Sequence, residues 1–317
     1  MIKFSNNSNN ISIIIPTYKR NKYLLKIINN LNRQFFFNSL FEIIVVDSSK
    51  NNFVRDLKLK NTRYFNIIEN SNALKRNVGI KKAKYKNIIF LDDDCFPSNT
   101  FLKDYCSLFK TIKNKTIICG SVAYDQDDIQ KNDYLIYRSK SHFVIKKSFF
   151  LQNKILTPSN IVTMNMGLKL NCFSNFFFRK EFKNYGFEDY EFGFRYIKKS
   201  YRIVGSHPLV THKENRSYIS YLNKFYFLGN KGCKIFSNIN FLAYKSSRYY
   251  KLEIVLSIFK KNQFFIWLIN MLFKLSFFSF NSKLLQNKYL FKFAVMLAFS
   301  RGVLDRFNKQ SKQLVWY

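Results

Sequence analysis

The stretch Asn87–Asp94 (NIIFLDDD) decides the fold class, because an apolar run ends there directly in three acidic residues. Short continuous apolar runs bounded by polar residues are typical of strands buried on both faces of a parallel sheet. Two earlier runs have the same form. Ile11–Ile15 (ISIII) is ended by Pro16, and Glu42–Val46 (EIIVV) is followed by Asp47. The three runs therefore predict neighbouring strands of one sheet.

Helical patterns lie between these runs. Lys22–Arg33 carries apolar residues at helical spacing, and Ser71–Lys84 is a second predicted helix with Ser71 as its N-cap. Tyr64–Ile68 is a predicted third strand. Strands that alternate with helices at this spacing indicate right-handed βαβ units, so we expect an α/β domain with a mostly parallel central sheet flanked by helices.

The pattern changes after residue 115. Ile117–Ala123 is another predicted strand, and Tyr124–Asn160 has no regular pattern. A helix is expected over Glu188–Lys199, followed by two short strands, Arg202–Val204 and Leu209–Thr211. Residues 216–317 contain seventeen Lys and Arg but only two acids. We therefore expect a catalytic domain over 1–215 and a helical, basic and aromatic region over 216–317.

Composition excludes several classes of protein. Hydrophobic residues make up 47% of the 317, which excludes wholesale disorder, and the five cysteines form no CxxC pair. A disulfide framework or zinc module is therefore not expected, and a reducing compartment fits best. The sequence contains no apolar stretch of the kind found in a signal peptide and no run of 18 uncharged apolar residues, so the cytoplasm is the expected location.

The net charge of +34 favours an acidic partner: nucleic acid, anionic lipid or a phosphate-bearing substrate. The abundance of Lys, Asn, Ile, Phe and Tyr has a second explanation, since AT-rich coding produces the same bias. The charge alone thus permits these partners without selecting one.

Polar residues follow the predicted strands, where ligands bind in open α/β sheets. They are Thr17 and Tyr18, then Asp47, then Asp92-Asp93-Asp94. Carboxylates spaced this way can share Mg²⁺ or Mn²⁺ with a diphosphate, because both ions prefer oxygen ligands. The alternative is a solvated turn, but the strand before the three acids favours a site. Neither GxGxxG nor GxxxxGK[ST] occurs, which argues against dinucleotide-dependent oxidoreductases and P-loop kinases.

Two further segments carry candidate chemistry. Gly186–Arg195 (GFEDYEFGFR) has three acids within four residues, more than helix capping requires, so one of them is a candidate general base. Val210–Glu214 (VTHKE) contains His212, one of three histidines. A single histidine is more often structural than a ligand, but His212 follows the acidic helix at the distance needed to return to the sheet.

Six motifs in order resemble family 2 glycosyltransferases with the GT-A fold: IIIPTYKR, IIVVDSS, NALKRNVG, IIFLDDD, GFEDYEFGFR and VTHKE. The resemblance covers about residues 10–215. The acidic helix most resembles the galactosyltransferase and chondroitin-polymerase branch. Two departures concern sugar specificity: Asn165–Leu168 replaces a glycine-rich element, and Tyr185–Phe187 replaces the Trp-Gly that often precedes the acids.

The resemblance assigns roles to individual residues. Asp189 matches the catalytic base, with Glu188 beside it in the acceptor region. Asp94 and His212 match metal ligands for Mn²⁺ or Mg²⁺. The residues that match the nucleotide-sugar site are Pro16, Thr17, Tyr18, Arg20, Asp47, Arg76, Asn77, Asp92 and Asp93.

The resemblance implies a metal-dependent, inverting transfer of a sugar from a nucleoside diphosphate-sugar, expected to be a UDP-sugar, to an acceptor hydroxyl. Cell-surface polysaccharide or lipopolysaccharide synthesis is the expected context, with a glycan or lipid-linked glycan as acceptor. The sequence alone leaves retention of configuration open. It also leaves two other classes open: a basic nucleic-acid-binding protein, and a catalytically inactive, membrane-bound assembly protein of the same fold.

The basic region carries a separate prediction. Asn262–Phe273 holds twelve uncharged residues between Lys260-Lys261 and Lys274, and at ~1.5 Å per residue it is too short to cross a ~30 Å hydrocarbon core. A second apolar patch, Phe291–Phe299, is interrupted by Lys292. We expect peripheral attachment to an anionic membrane on its cytoplasmic face. The alternative is a helical subdomain packed against the catalytic domain.

Overall fold

The computed structural model describes residues 10–34, 40–50, 53–131, 133–140, 144, 155–170, 177–183, 186–213, 217–281 and 288–309. The chain forms two compact units. The sheet unit comprises Met1–Asp125, His142–Asn184 and Glu188–Lys213, and the helical unit comprises Gln126–Ser141, Tyr185–Phe187 and Glu214–Tyr317. The segment 126–141 thus clusters with the helical unit, although the sequence analysis places it in the first domain.

The sheet unit is built on an eight-stranded mixed sheet flanked by helices. Its strands are β1 (Ile11–Thr17), β2 (Phe41–Asp47), β3 (Thr62–Asn66), β4 (Asn87–Leu91), β5 (Cys95–Pro97), β6 (Thr116–Tyr124), β7 (Asn165–Lys169) and β8 (Arg202–His212). Its helices are α1 (Asn21–Arg33), α2 (Asn72–Lys82), α3 (Phe101–Thr111) and α6 (Glu188–Ile197), with 3₁₀ turns at Phe53–Leu57 and Pro158–Asn160.

The strand order is β3-β2-β1-β4-β7-β6-β8-β5. The first four strands in this order, β3, β2, β1 and β4, are parallel to one another. β7 runs antiparallel to both β4 and β6, and β8 runs parallel to β6. The short β5 pairs antiparallel with the end of β8. Four of the seven pairings are therefore parallel, which confirms the expected α/β class.

β1, β2 and β4 form where predicted because their side chains are buried on both faces of the sheet. The third strand, β3, is only partly buried and covers Thr62–Asn66, two residues earlier than the predicted Tyr64–Ile68. Every residue of β1 and β4 is buried. The apolar face of α1 packs into the same core through four fully buried side chains: Leu24, Ile27, Ile28 and Leu31. Ser71 caps α2 as predicted, accepting a hydrogen bond from the Leu74 N–H. Gly79 lets α2 lie close to β1, since a Cβ there would come within 2.3 Å of Ile14.

The prediction of two short strands near residues 202–211 is wrong, because β8 is a single strand over Arg202–His212. Gly205 and Pro208 lie between the two predicted segments. The sheet accommodates them with a bulge, where the register changes from Cys119 opposite Gly205 to Ser121 opposite Leu209. The segment Tyr124–Asn160 is also more regular than expected, since its described part contains two short helices, α4 (Gln126–Lys131) and α5 (Asp133–Ser139).

The helical unit contains α4 and α5 together with six later helices. These are α7 (Tyr218–Phe227), α8 (Cys233–Ile239), α9 (Phe241–Lys245), α10 (Arg248–Ile258), α11 (Gln263–Asn281) and α12 (Lys288–Phe307), with a π-helical turn at Leu228–Gly232. Gly302 brings α12 against α7, since a Cβ there would lie 2.2 Å from the Tyr226 carbonyl oxygen. In the part of the chain that the structure describes, no helix has both the length and the apolar character to cross a membrane.

Four cysteines are free and buried, namely Cys95, Cys106, Cys119 and Cys233. The fifth, Cys172, lies outside the described residues, as do Tyr185, Glu214 and His142 of the segments considered above.

Candidate active site

The carboxyl ends of β1, β2 and β4 meet at one edge of the sheet. The register places Thr17 beside Asp47, and β4 runs directly into Asp92. Asp92, Asp93 and Asp94 form what we call the acidic turn. The Thr17 hydroxyl donates to Asp93 Oδ2 at 2.6 Å, which connects the end of β1 to this turn. The structure thus brings together the three strand ends that the sequence analysis singled out.

The Arg20 side chain contacts two carboxylates of the acidic turn. Its Nη1 donates to Asp93 Oδ1 at 3.1 Å and also forms a short ion pair with Asp94 Oδ2. Burial raises the pKa of Asp93 to about 6, against the opposing effect of Arg20. Burial also acts to raise the pKa of Asp94, but the hydrogen bond and charge of His212, together with Arg20, hold that pKa well below its usual range.

The second oxygen of Asp94 faces His212 and Cys95. His212 Nε2 lies 3.5 Å from Asp94 Oδ1, and the Cys95 thiol donates to the same oxygen at 3.6 Å. Antiparallel pairing of β5 with β8 sets this geometry, because Cys95 stands opposite His212 in the register. The ligand atoms of all three residues lie within 4.8 Å of one another. Asp94 and His212 are the metal ligands expected from the sequence. Cys95 was not expected there, although it directly follows the acidic turn.

The three acids of α6 have different surroundings. Glu191 is fully buried and accepts hydrogen bonds from Arg195 Nε and Nη2 at 3.0 and 3.1 Å, which is a structural contact. Glu188 Oε1 and Asp189 Oδ1 each lie 3.8 Å from Arg76 Nη1. Arg76 Nη2 in turn donates to Asp92 at 3.1 Å. Arg76 therefore connects the acidic turn with the start of α6.

Thr163 holds the Asp189 carboxylate in place. Its hydroxyl lies 3.0 Å from Oδ1 and 3.2 Å from Oδ2, and its backbone N–H donates to Oδ2 at 3.3 Å. Burial and the neighbouring Glu188 charge raise the pKa of Asp189 to about 7. The side chain keeps 29% of its surface exposed, so a substrate hydroxyl can reach it. No sequence pattern pointed to Thr163, which precedes the unpredicted strand β7.

Two residues of α2 beside Arg76 have contrasting roles. Lys75 is buried, and its ammonium donates at 2.7 Å to both the Thr17 carbonyl and Asn70 Oδ1. Burial lowers the pKa of Lys75 to about 8. Asn77 uses both ends of its amide on the backbone of Phe178, at 2.8 and 2.9 Å. The Asn77 side chain thus fixes a loop.

The remaining predicted residues lie along β1 and β2. Asp47 is fully buried, accepts hydrogen bonds from the Ser49 N–H and hydroxyl, and receives the Tyr64 hydroxyl. Pro16 is buried within β1, whereas Tyr18, just beyond the strand, is 40% exposed. A buried carboxylate next to an exposed aromatic ring suits recognition of a planar base and its ribose.

Comparison with known families agrees with this arrangement. The family model described as "Glycosyl transferase family 2" matches residues 12–186, more than half of the chain. The chain belongs to glycosyl transferase family 2. The matched residues include the strand ends and the acidic turn.

Known family members resemble this chain over part of its length. Poly(ribitol-phosphate) beta-N-acetylglucosaminyltransferase TarS of Staphylococcus aureus is 31% identical over 100 residues, covering 29% of this chain and 18% of TarS. Chondroitin synthase of Escherichia coli is 26% identical over 224 residues, covering 60% of this chain and 32% of the synthase. The chain thus spans less than a third of the length of these two relatives.

A solved structure confirms the GT-A fold of this family 2 glycosyltransferase. The mannosyltransferase PcManGT of Pyrobaculum calidifontis, in complex with GDP-Man and Mn²⁺, superposes with a TM-score of 0.55 at 13% identity. The match covers 93% of this chain and 86% of the mannosyltransferase.

Proposed function

We propose that the protein transfers a sugar from a nucleoside diphosphate-sugar, most simply a UDP-sugar, to an acceptor hydroxyl with inversion at the anomeric carbon. One observation carries the proposal: the Asp189 carboxylate, with its pKa raised to about 7, is linked through Arg76 to the acidic turn at Asp92. A base titrating near neutral pH thus shares one site with candidate metal ligands, which is the combination that this reaction needs.

The donor nucleotide is proposed to lie along the ends of β1 and β2. The resemblance assigns the Asp47 carboxylate to the base or ribose, and Ser49 and Tyr64 hold this carboxylate at the end of β2. Tyr18 offers an exposed ring for stacking. Arg20 and Arg76 supply positive charge near the diphosphate, whereas Asn77 is given a structural role because its amide is fully used on Phe178.

The residues present fit a divalent cation. Asp94 Oδ1 and His212 Nε2 are proposed to hold Mn²⁺ or Mg²⁺, with Arg20 on the other oxygen of Asp94. When bound, such an ion neutralises the negative charge that develops on the departing diphosphate. Burial of Asp94 and His212 excludes water around this charge, which strengthens the interaction.

The acceptor hydroxyl is proposed to lose its proton to Asp189 as it attacks the anomeric carbon on the face opposite the diphosphate. Thr163 orients the carboxylate through three contacts, so both its lone pairs and its charge are fixed before the acceptor arrives. Burial and the charge of the adjacent Glu188 raise the pKa of Asp189, which makes Asp189 a stronger base.

The acceptor is proposed to be a glycan or lipid-linked glycan of a cell-surface polysaccharide or lipopolysaccharide. Support comes from the names of the two relatives, which describe a sugar transferase for poly(ribitol-phosphate) and a chondroitin synthase. The donor sugar is identified by the experiment described next.

The decisive experiment is a donor screen. Purified protein is incubated with a panel of UDP-, GDP- and other nucleotide sugars, with Mn²⁺ or Mg²⁺, and released nucleoside diphosphate is measured. We expect release from UDP-sugars that chelation stops. Asp189→Asn should lose it, whereas Asp56→Asn, the same change at a carboxylate 75% exposed on the surface, should retain it. Activity that survives Asp189→Asn would refute the assigned base.

The two alternative classes give different results. An inactive assembly protein would bind UDP without turning over any donor and acceptor pair. A nucleic-acid-binding protein would bind random oligonucleotides with steep salt dependence. The carboxylates clustered at the sheet edge speak against nucleic acid at this site, because they would repel its phosphates.

A further inference from the structure

Exposed large apolar side chains are concentrated in the helical unit, on α10 and α11. On α11 four of them, Phe264, Trp267, Leu275 and Phe278, form what we call the α11 face. Phe264 and Phe278 are 69% and 66% exposed, and Trp267 and Leu275 are 56% and 54% exposed. Soluble surfaces rarely carry so many large apolar groups side by side, and such patches mark sites of interaction.

Helical geometry places these residues on one side of α11. At about 100° per residue, the four positions fall within an arc of roughly 80°. The opposite side of α11 is packed, since Phe273 and Ser276 are buried. The helix therefore has one side in the core of its unit and an apolar side, the α11 face, turned outward.

α10 has a similar side. Ile254, Val255 and Ile258 are 48%, 51% and 72% exposed, and Lys251 lies one turn before them on the same side. The acidic residue of α10, Glu253, points elsewhere and forms an ion pair with Arg306. Two successive helices thus each present aliphatic or aromatic side chains together with lysine.

The charge around these sides is positive. Lys260 and Lys261 are exposed just before α11, and Lys274 is exposed beside Leu275. In the described part of the helical unit after residue 216, the sequence contains only two acids, Glu253 and Asp305, and both are paired with arginine. Lysines at the ends and along the edge of an apolar helix face are the arrangement that binds anionic lipid.

We propose that the α11 face lies in the interfacial layer of an anionic bilayer, with α11 parallel to the membrane plane and its lysines among the headgroups. A nucleic acid would use the lysines but not the four exposed apolar side chains. Lys274 within the helix places α11 along the surface and not across the bilayer. This surface is independent of the proposed sugar transfer, so either can fail without the other.

Trp267 reports the contact directly. The chain has two tryptophans, so Trp316→Phe leaves Trp267 as the sole probe. We expect its emission to shift to the blue, and brominated acyl chains to quench it, on adding vesicles of equal parts phosphatidylcholine and phosphatidylglycerol. Vesicles of phosphatidylcholine alone should give a much smaller change. Unchanged Trp267 emission with vesicles that bind the protein would overturn the proposal.

Variants identify the surface by vesicle cosedimentation. Replacing Lys260, Lys261 and Lys274 by Gln should weaken binding about 100-fold, since each lysine near an anionic surface contributes roughly fivefold. Replacing Phe264 and Phe278 by Gln should weaken it about tenfold per side chain. The matched control replaces Leu57 and Ile68 of the sheet unit, which are 46% and 100% exposed, and should bind like the parent.

Circular dichroism must show that every variant is folded before it is compared. Equal loss of binding in the Leu57 and Ile68 control, or full binding by the α11 variants, would overturn the proposal. Dimerisation through the α11 face in the absence of vesicles would also overturn it. The proposal would fail as well if the protein bound oligonucleotides but not vesicles, and the aromatic variants bound oligonucleotides as the parent does.

Discussion

Replacing Thr163 by Val tests the assignment of Asp189 as the base. Valine keeps the shape of the buried side chain but removes the hydroxyl that lies 3.0 Å from Asp189 Oδ1. The backbone N–H of residue 163 still reaches Oδ2, so the carboxylate stays in position. What changes is the stabilisation of its charged form, which should raise the pKa of Asp189.

The size of the change follows from the contact. A hydrogen bond to a charged group contributes about 1.5–3 kcal/mol, and the 29% exposure of Asp189 places this one at the lower end. That is about one pKa unit. Since the pKa begins at about 7, the variant should titrate near 8. The base acts when ionised, so activity rises with pH, and kcat/KM at pH 7 should fall about fivefold while the alkaline plateau is kept.

The assay is a pH profile of kcat/KM for diphosphate release, with Thr163→Ser as the control that retains a hydroxyl. The donor KM should stay unchanged in both variants, because the side-chain hydrogen bonds described for Thr163 go to Asp189. If Thr163→Val lowered the plateau without moving the inflection, Thr163 would support the fold only. If the parent profile showed no inflection near pH 7, Asp189 would not be the base.

Three further predictions address other parts of the site. Asp94→Asn should lower turnover by about 10³-fold or more and weaken Mn²⁺ binding measured by calorimetry, because one ligand supplies several kcal/mol of charge stabilisation; full activity in excess chelator would contradict this. Asp189→Asn should lower kcat by roughly 10²–10⁴-fold with donor affinity nearly intact, and a collapse of donor affinity would instead make Asp189 a nucleotide ligand. Glu191→Ala should lower the free energy of unfolding, measured in urea, by about 3 kcal/mol, because it removes the buried carboxylate that pairs with Arg195. An unchanged urea midpoint would show that this ion pair adds nothing to stability.

β1, β2 and β4 could be predicted because they are buried on both faces, which produces continuous apolar runs such as NIIFL. The acidic turn was visible for the same reason, since it ends such a run. Helix α2 carried a local signal in the Ser71 cap. In each case the information lies within a few residues of the feature.

The other half of the sheet could not be predicted in detail. β5 has three residues, and only its pairing with β8 makes it a strand. β7 (NMGLK) contains a glycine that local patterns read as a loop, but Gly167 allows close packing of Tyr105, whose ring carbon would lie 2.5 Å from a Cβ. Cys95 and Thr163 reach the site through these two strands, so no pattern near Asp189 or His212 could have indicated them.

The charges of the site favour a bound cation there, although the protein as a whole is strongly basic. Six carboxylates gather at the sheet edge and the start of α6: Asp47, Asp92, Asp93, Asp94, Glu188 and Asp189. Three cationic side chains accompany them: Arg20, Lys75 and Arg76.

Burial, with neighbouring carboxylates adding to it, already raises the pKa of Asp93 to about 6 and that of Asp189 to about 7. A nucleoside diphosphate would add further negative charge, so binding it without a divalent ion would bring like charges together in a site where burial weakens screening. The net charge of +34 therefore does not neutralise the donor. Residues 216–317 contribute +15 of it, their two acids are paired with arginine, and the natural counterpart of this charge is the anionic surface proposed for α11.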